Sequence, residues 1–341
     1  MDIKALDSRS LMSDHDAEAN AESEAAGISS VFVFHQQAAS ARKKFQALMT
    51  PPGGATEMRC LPVIGPTGSG KSKLLKTLTR EKEWESSRLP SGIVVPKLVV
   101  KCPQHPTNKG LAEAILLKFG AKIYPRETET HMTNRVLLHI QNAGTKLVII
   151  EEAQHMASAP GNGKYESGDF LKILLIDTAC RLVLEGLPTV KDLVKANKQL
   201  QRRSWPAIEL RPLDWRFQQS QSDWRSILKQ IGAQYFPAIS LSEVVTAQAL
   251  NWATRGLLGD LEQLLNTALM IAGDQDATHD DLRAAWDAIH GEDDINTDPN
   301  RGELWFNPWN GESIPANFKP ADFLAGTFEV QEEQPVKRRK K

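Results

Sequence analysis

The sequence predicts an α/β fold, a parallel sheet with helices on both faces, followed by a small all-α domain. Two observations predict it. Up to about residue 210, short apolar runs that read as buried strands alternate with stretches of helical period, the pattern of βαβ crossovers. From Ser222 to about His290 the period is wholly helical, with Leu257, Leu261, Leu264 and Leu265 marking one apolar stripe. The chain has 341 residues, 41% of them hydrophobic, enough for one large domain and a smaller appendage.

The elements follow in order. Residues 1–28 are polar and acidic and read as a flexible N-terminus. The short apolar run Val31-Phe32-Val33-Phe34 precedes a helix from Ala38 to Met49, stopped by Pro51-Pro52-Gly53-Gly54. Strands are expected at Cys60 to Ile64, Lys97 to Lys101, Leu147 to Ile150, Arg181 to Glu185 and Ala207 to Leu210. Between them, helices are expected at Ser72 to Arg80, Lys109 to Phe119, His131 to Asn142, Phe170 to Ala179 and Val190 to Arg202. Residues 157–168, rich in Gly, Ser and Ala, read as a loop. The expected organisation is an α/β domain over residues 29–215, a helical lid domain over 216–290 and a tail over 291–341. That tail carries Trp305, Phe306, Trp309, Phe318, Phe323 and Phe328 as docking side chains and ends in a basic run.

Net charge is −1, so the balance names no partner, but the distribution is uneven. The first thirty residues hold seven acids and two bases, and Lys337-Arg338-Arg339-Lys340-Lys341 are all basic. A solvated end is the ordinary account of such a run. Cys60, Cys102 and Cys180 show no metal-ligand spacing and are odd in number, which points to a reducing compartment. No stretch approaches 18 apolar residues and no signal peptide opens the chain, so a cytoplasmic protein with no membrane partner is expected.

The chemistry starts at Gly65-Pro66-Thr67-Gly68-Ser69-Gly70-Lys71-Ser72, which matches the phosphate-loop pattern G-x-x-x-x-G-K-[ST] at every position. Glycines let successive backbone N–H groups converge on phosphate oxygens, and the helix that follows adds partial positive charge. Lys71 would reach the β- and γ-phosphates of ATP, and Ser72 would give a hydroxyl to Mg²⁺. A glycine turn that binds nothing is the plain alternative. The strand before and the helix after argue against it. Leu147-Val148-Ile149-Ile150-Glu151-Glu152 then places two acids at the tip of a buried strand. Most P-loop ATPases have Asp at the first, holding Mg²⁺, and Glu at the second, polarising the attacking water. Here Glu151 stands at the metal position and Glu152 at the catalytic one.

Gln199-Leu200-Gln201-Arg202-Arg203 ends a helix just before the last strand. In AAA+ ATPases an arginine there reaches the γ-phosphate held by a neighbouring subunit. A cationic helix C-terminus favoured by the macrodipole is the competing account. The expected fold is therefore a P-loop NTPase of AAA+ type, with Arg202 and Arg203 as catalytic candidates. Thr189 is the candidate sensor of γ-phosphate beyond the fourth sheet strand. At the usual lid sensor position, Gly259-Asp260-Leu261-Glu262 has an acid in place of arginine, with Arg255 one turn earlier.

These residues resemble the TnsC/TniB family of AAA+ transposition regulators over roughly residues 30 to 272. The likeness rests on the phosphate loop, Ile149-Ile150-Glu151-Glu152-Ala153-Gln154-His155 and Leu184-Glu185-Gly186-Leu187-Pro188-Thr189. It continues in Gln199-Leu200-Gln201-Arg202-Arg203, Leu210-Arg211-Pro212-Leu213-Asp214-Trp215 and Gly256-Leu257-Leu258-Gly259-Asp260-Leu261. Members usually have Asp where Glu151 stands, often His at Gln154 and Phe at Ser204. The resemblance implies an ATP-dependent ring or filament on double-stranded DNA, joining a target selector (in some systems an RNA-guided complex) to the transposase. Hydrolysis would disassemble it.

A duplex threaded through such an oligomer needs cations contacting phosphates. Lys97, Lys101, Thr107, Asn108 and Lys109 are the candidates, with Arg126 and Arg135 behind them; solvated surface charge is the ordinary account of each. The segment around Asn307-Pro308-Trp309-Asn310 docks on the transposase, on a sister subunit or back on the lid. Rival functions are another AAA+ role, such as a helicase loader, replication initiator or signalling ATPase, and a P-loop small-molecule kinase. The absence of a Leu-Ser-Gly-Gly signature disfavours an ABC subunit.

Overall fold

The computed structural model describes residues 27–51, 59–90, 92–104, 106–158, 163–291, 296–297, 304–315 and 318. Five strands form one parallel sheet: β1 (Cys60–Ile64), β4 (Lys97–Lys101), β5 (Leu147–Glu151), β6 (Arg181–Gly186) and β7 (Ile208–Glu209). Their order is β4-β5-β6-β1-β7. Helices cover both faces, so β1 and the apolar part of β5 are buried without alternation, as parallel strands must be. The period-2 pleat still sorts the side chains. Leu61, Val63, Leu147, Ile149 and Val183 face α1 (Gln36–Met49) and α2 (Lys71–Leu78). Cys60, Ile64, Val148, Ile150, Leu182 and Leu184 face α3 (Asn108–Lys118), α4 (Glu129–Asn142), α6 (Gly163–Asp177) and α7 (Val190–Ala196). The three cysteines are free and buried; burial pushes the Cys60 and Cys102 thiols up to about 12 and that of Cys180 up to about 11.

Three local expectations are corrected. A small exposed hairpin, β2 (Ser87–Leu89) with β3 (Gly92–Val94), lies where no element was expected. Helix α6 begins at Gly163, inside the stretch read as loop, because Ser167 and Phe170 are buried and packing overrides weak local propensity. The helix expected from Val190 to Arg202 is two, α7 and α8 (Lys198–Arg202), broken at Asn197. That residue is extended, and its buried side-chain oxygen accepts from the Gln199 and Leu200 amides at 3.0 Å each. Its amide also donates to Asp169 at 3.1 Å. A short helix, α5 (Gln154–Ala157), follows β5 directly.

After β7 the chain is helical: α9 (Gln218–Tyr235), α10 (Val244–Thr254), α11 (Leu258–Ala272) and α12 (His279–His290). Trp224, Leu250, Leu265 and Trp286 centre their shared core, and Thr278 and Asp281 form the capping box that starts α12. Ile28, Val31 and Val33 join this core from upstream, whereas Phe32 joins the sheet-side core, so the apolar N-terminal run stitches the two together. Downstream, Trp305 and Phe318 are buried in the helical core. Trp252 donates to the Phe306 carbonyl at 2.9 Å and Asn307 to Asp287 at 2.7 Å. The aromatic segment around Asn307 thus docks back on the lid. Phe323, Phe328, residues 1–26 and the basic end lie outside the described residues. No helix among the described residues is long and apolar enough to cross a membrane.

Asn197 both caps α8 and ties it to α6. Asn197→Ala should lower the unfolding free energy by about 1–2 kcal/mol, seen as a lower urea midpoint at unchanged m-value.

Candidate functional site

β1 delivers the chain from the sheet into the phosphate loop, and α2 starts at Lys71. Gly68 and Gly70 adopt φ of +76° and +86°, left-handed geometry that lets the loop double back over the first turn of α2. The Lys71 ammonium donates to the carbonyls of Gly65 at 3.0 Å and Pro66 at 2.8 Å, so it is held by its own loop. Burial lowers its pKa, while the charges of Glu185 and Glu152 pull it back up.

Ser72 donates its hydroxyl to Glu185 Oε1 at 2.6 Å. Glu185 is 5% exposed near the end of β6, and its Oε2 is buried with no hydrogen-bond partner among the described residues. Burial raises its carboxyl above the usual range, opposed by the Ser72 hydrogen bond; Glu151 raises it further. Glu151 ends β5 opposite Lys101 of β4. Glu152 follows in the left-handed region at φ +55°, a strained conformation for a side chain with a Cβ, of the kind that gathers at functional sites. Its carboxylate accepts from the Gln154 amide, whose oxygen in turn accepts from the Leu187 N–H at 3.2 Å. Gln154 therefore ties the acid after β5 to the chain leaving β6.

The lid meets the loop directly. The Gly259 N–H donates to the Gly68 carbonyl at 2.7 Å, and a Cβ on Gly259 would lie 2.7 Å from Gly68 Cα. Glu262 accepts from the Ser29 hydroxyl at 2.6 Å and lies 3.7 Å from the Lys73 ammonium. Between these parts is a cleft of about 320 Å³, the size of a small-molecule site. Thr67 to Ser72, Glu152 and Glu185 supply its polar lining, and Ile28, Val31, Phe32, Ile227 and Leu258 its apolar lining. A triphosphate suits the first and a base the second.

The structure brings Gly68 through Ser72, Glu152 and Glu185 to one cleft, with Glu151 on the same sheet edge. Arg202 is exposed and Arg203 half-buried at the end of α8, and neither lines the cleft. Thr189 lies just before α7, and Glu185, Gly186 and Leu187 line the cleft from that segment instead. Arg255 sits 3.6 Å from Asp260 with its guanidinium 5.0 Å from the Trp305 ring centroid. The residues missed were Glu185 and Gln154. An acid closing the apolar run Leu182-Val183-Leu184 was the available signal for the first, since a buried carboxylate needs a partner. The oxygen set of Ser72, Glu151, Glu152 and the orphaned Glu185 Oε2 fits a hard divalent cation. No cluster of three or more His, Cys, Asp or Glu side chains with metal-holding geometry occurs among the described residues. Magnesium beside a nucleotide draws most of its shell from phosphates and water, so few protein ligands suffice.

The suggested DNA contacts are dispersed. Lys101 is exposed at the C-terminal end of β4, while Lys97, at the other end, donates to Thr79. Thr107 caps α3, Asn108 donates to Glu129, and Lys109 is half-buried. Arg126 is exposed; Arg135 is engaged by the buried Glu127 at 2.7 Å.

Two predictions follow from these contacts. Gly259→Ala should push the lid off the loop and weaken nucleotide affinity about tenfold, roughly 1.4 kcal/mol, with the unfolding midpoint little changed; calorimetric titration reads it. Burial raises the pKa of Glu127, but hydrogen bonds from Arg135 and His131 and the Arg135 charge outweigh it and hold the carboxyl below its usual value. A depressed carboxylate stabilises fully above its unfolded pKa and loses that contribution as pH falls through the folded one. Melting temperature followed from neutral into acid should therefore fall less steeply in Glu127→Gln than in the wild type.

No curated protein sequence matches the chain. Among solved structures, the Aeropyrum pernix ORC1 protein in complex with DNA aligns with a TM-score of 0.56 at 16% identity, over 75% of this chain and 66% of that one. The Aeropyrum pernix ORC2 protein in its ADP form aligns at 0.50 and 15%, over 75% and 68%. Cdc6p from Pyrobaculum aerophilum aligns at 0.51 and 10%, over 76% and 69%. At such identities the likeness shows the fold alone, a parallel sheet with helices on both faces followed by helices. The family described as Bacterial TniB protein matches residues 27–211, more than half of the chain, from the apolar N-terminal run through the phosphate loop and the arginine pair to β7. The chain belongs to the TniB family.

Proposed function

We propose that this protein is an ATP-dependent, DNA-binding regulator of transposition. It assembles with copies of itself into a ring or filament on double-stranded DNA when ATP is bound. The assembly links a target selector, in some systems an RNA-guided complex, to the transposase, and hydrolysis takes it apart. The observation that carries this reading is the convergence of phosphate loop, acidic strand tips and lid on one cleft in a TniB-family chain.

The amides of Gly65 to Ser72 hold the phosphates, and Lys71 turns from the Gly65 and Pro66 carbonyls to the β- and γ-oxygens. Ser72 and Glu151 would hold Mg²⁺, which when bound would offset phosphate charge. Glu152, kept in place by Gln154, accepts the proton of the attacking water as its oxygen bonds to the γ-phosphorus and the bond to the bridging oxygen breaks. Arg202 or Arg203 of an adjacent copy stabilises the charge spreading over the transferred group. Lys101, Thr107, Asn108 and Lys109 supply backbone contacts to DNA, with Lys97 set apart from them.

The fold likeness to the ORC1 and Cdc6 structures favours a second reading, a loader or replication initiator. Against it, the described residues after α12 form only the short pair β8 (Asn296–Thr297) and β9 (Leu304–Trp305) and an irregular segment, with no helix-turn-helix. A small-molecule kinase would stay monomeric and consume ATP in proportion to an acceptor.

Sedimentation with ATP and duplex DNA together should give a large species that neither ligand gives alone. Lys71→Ala should abolish it. Glu152→Gln should stop hydrolysis while the ATP-bound assembly persists; equal loss of assembly in both variants would overturn the scheme.

A further inference from the structure

We infer that Glu185 is a further metal-binding carboxylate of this site, standing beside Ser72 and acting with Glu151, the acid that ends β5. The inference rests on the nucleotide reading above and adds a side chain to those that hold its cation.

Geometry carries it. β6 lies between β1 and β5, and Glu185 pairs in register with Val63, two residues before the loop begins. Glu209 of β7 pairs with Ile64, one residue nearer the loop, but its carboxylate accepts from Lys191 and Arg211, and Glu151 and Glu152 leave from β5, on the far side of β6. The hydroxyl that would hold the cation is already bonded to Glu185 Oε1 at 2.6 Å. The second oxygen, Oε2, is buried and has no donor among the described residues. The nearby Lys71 ammonium donates instead to the Gly65 and Pro66 carbonyls. A buried carboxylate oxygen without a partner is costly, and a site shaped to leave one facing a phosphate loop is shaped for a cation. Charge agrees. Glu185 and Glu152 both face the Lys71 ammonium, while Lys73 lies beside Glu262, so negative charge is in excess around the loop.

The competing account is structural: Glu185 merely accepts the Ser72 hydrogen bond. The two separate cleanly, because glutamine keeps the acceptor and the shape but removes the charge. The test is the affinity of the full-length chain for a fluorescent ATP analogue, in Mg²⁺ and in EDTA, with a parallel Mn²⁺ titration of the nucleotide-loaded protein. Glu185→Gln should keep its affinity in EDTA and lose about 10–100-fold in metal affinity, and Glu185→Asp should retain most of the metal effect. Glu185→Ala gives the same comparison without a buried amide, should the glutamine variant fold poorly. Full metal enhancement in Glu185→Gln would overturn the inference while leaving the nucleotide reading intact. A wild-type chain that binds the analogue in neither condition would overturn both, and shows itself before any variant is made.

Discussion

The insertion of β6 between β1 and β5 is the constraint on which the cleft depends. β1 ends in the phosphate loop and β5 in the acidic pair, and in a parallel sheet both emerge at the same edge. β6 sets the distance between them and brings its own carboxylate to the gap. Its register is firmly specified, because Leu182 and Leu184 point into one core and Val183 into the other. A slip by one residue would exchange the faces of every side chain and turn Glu185 into the opposite layer. Packing that looks purely structural thereby fixes the position of an ionisable group to within a hydrogen bond of Ser72.

Around that edge the chain holds several arrangements that are unfavourable by themselves. Glu152 is left-handed, Glu185 Oε2 is buried without a donor, and the Lys71 ammonium is held back on its own loop. The last two would be relieved by a ligand that brings anionic oxygens to Lys71 and a cation to the acids. A ligand that binds only the folded chain stabilises it in proportion to its affinity, so these local costs are the counterpart of tight binding. Gln154 has a particular place in this set. It holds Glu152 with one end of its amide and the Leu187 N–H with the other, so Glu152 and the chain leaving β6 are tied together.

Much of this was legible in residue order. The five sheet strands lie where short apolar runs predict them, because buried parallel strands leave so strong a mark. The loop was legible because its backbone geometry demands glycine and its chemistry demands lysine and a hydroxyl. What escaped depends on contacts between distant segments. Asn197 breaks a helix whose period runs on past it, through a bond to Asp169 that no local pattern encodes. The start of α6 hides in Gly- and Ser-rich sequence because its support is tertiary. Glu185 sits in a recognisable motif, but its role appears only when β6 is placed next to β1. The tail offered three docking partners in sequence, and only the buried Trp305 and the Asn307 contacts select one.

The lid completes the argument for an assembly. Its contact with the loop is a backbone hydrogen bond and a close approach at Gly68 and Gly259, not a charge reaching for phosphate. Where many AAA+ lids present arginine, this one presents Glu262, whose carboxylate turns to Ser29 and Lys73. Arg255, the nearest lid cation in sequence, is occupied with Asp260 and the Trp305 ring, at the tail side of the lid. Cations from the same chain that line the cleft are therefore those of the loop and α2, Lys71 and Lys73. Lys73 lies beside Glu262, so Lys71 is the cation of the two without a neighbouring lid acid, and in an excluded site each positive partner of a developing negative charge is worth far more than in water. Under the proposed scheme the missing charge comes from the arginine pair of another copy, which in its own chain stands clear of the cleft. A lone subunit would then hold nucleotide well and turn it over poorly, and the same arginines that complete the chemistry would make hydrolysis report that a neighbour has arrived.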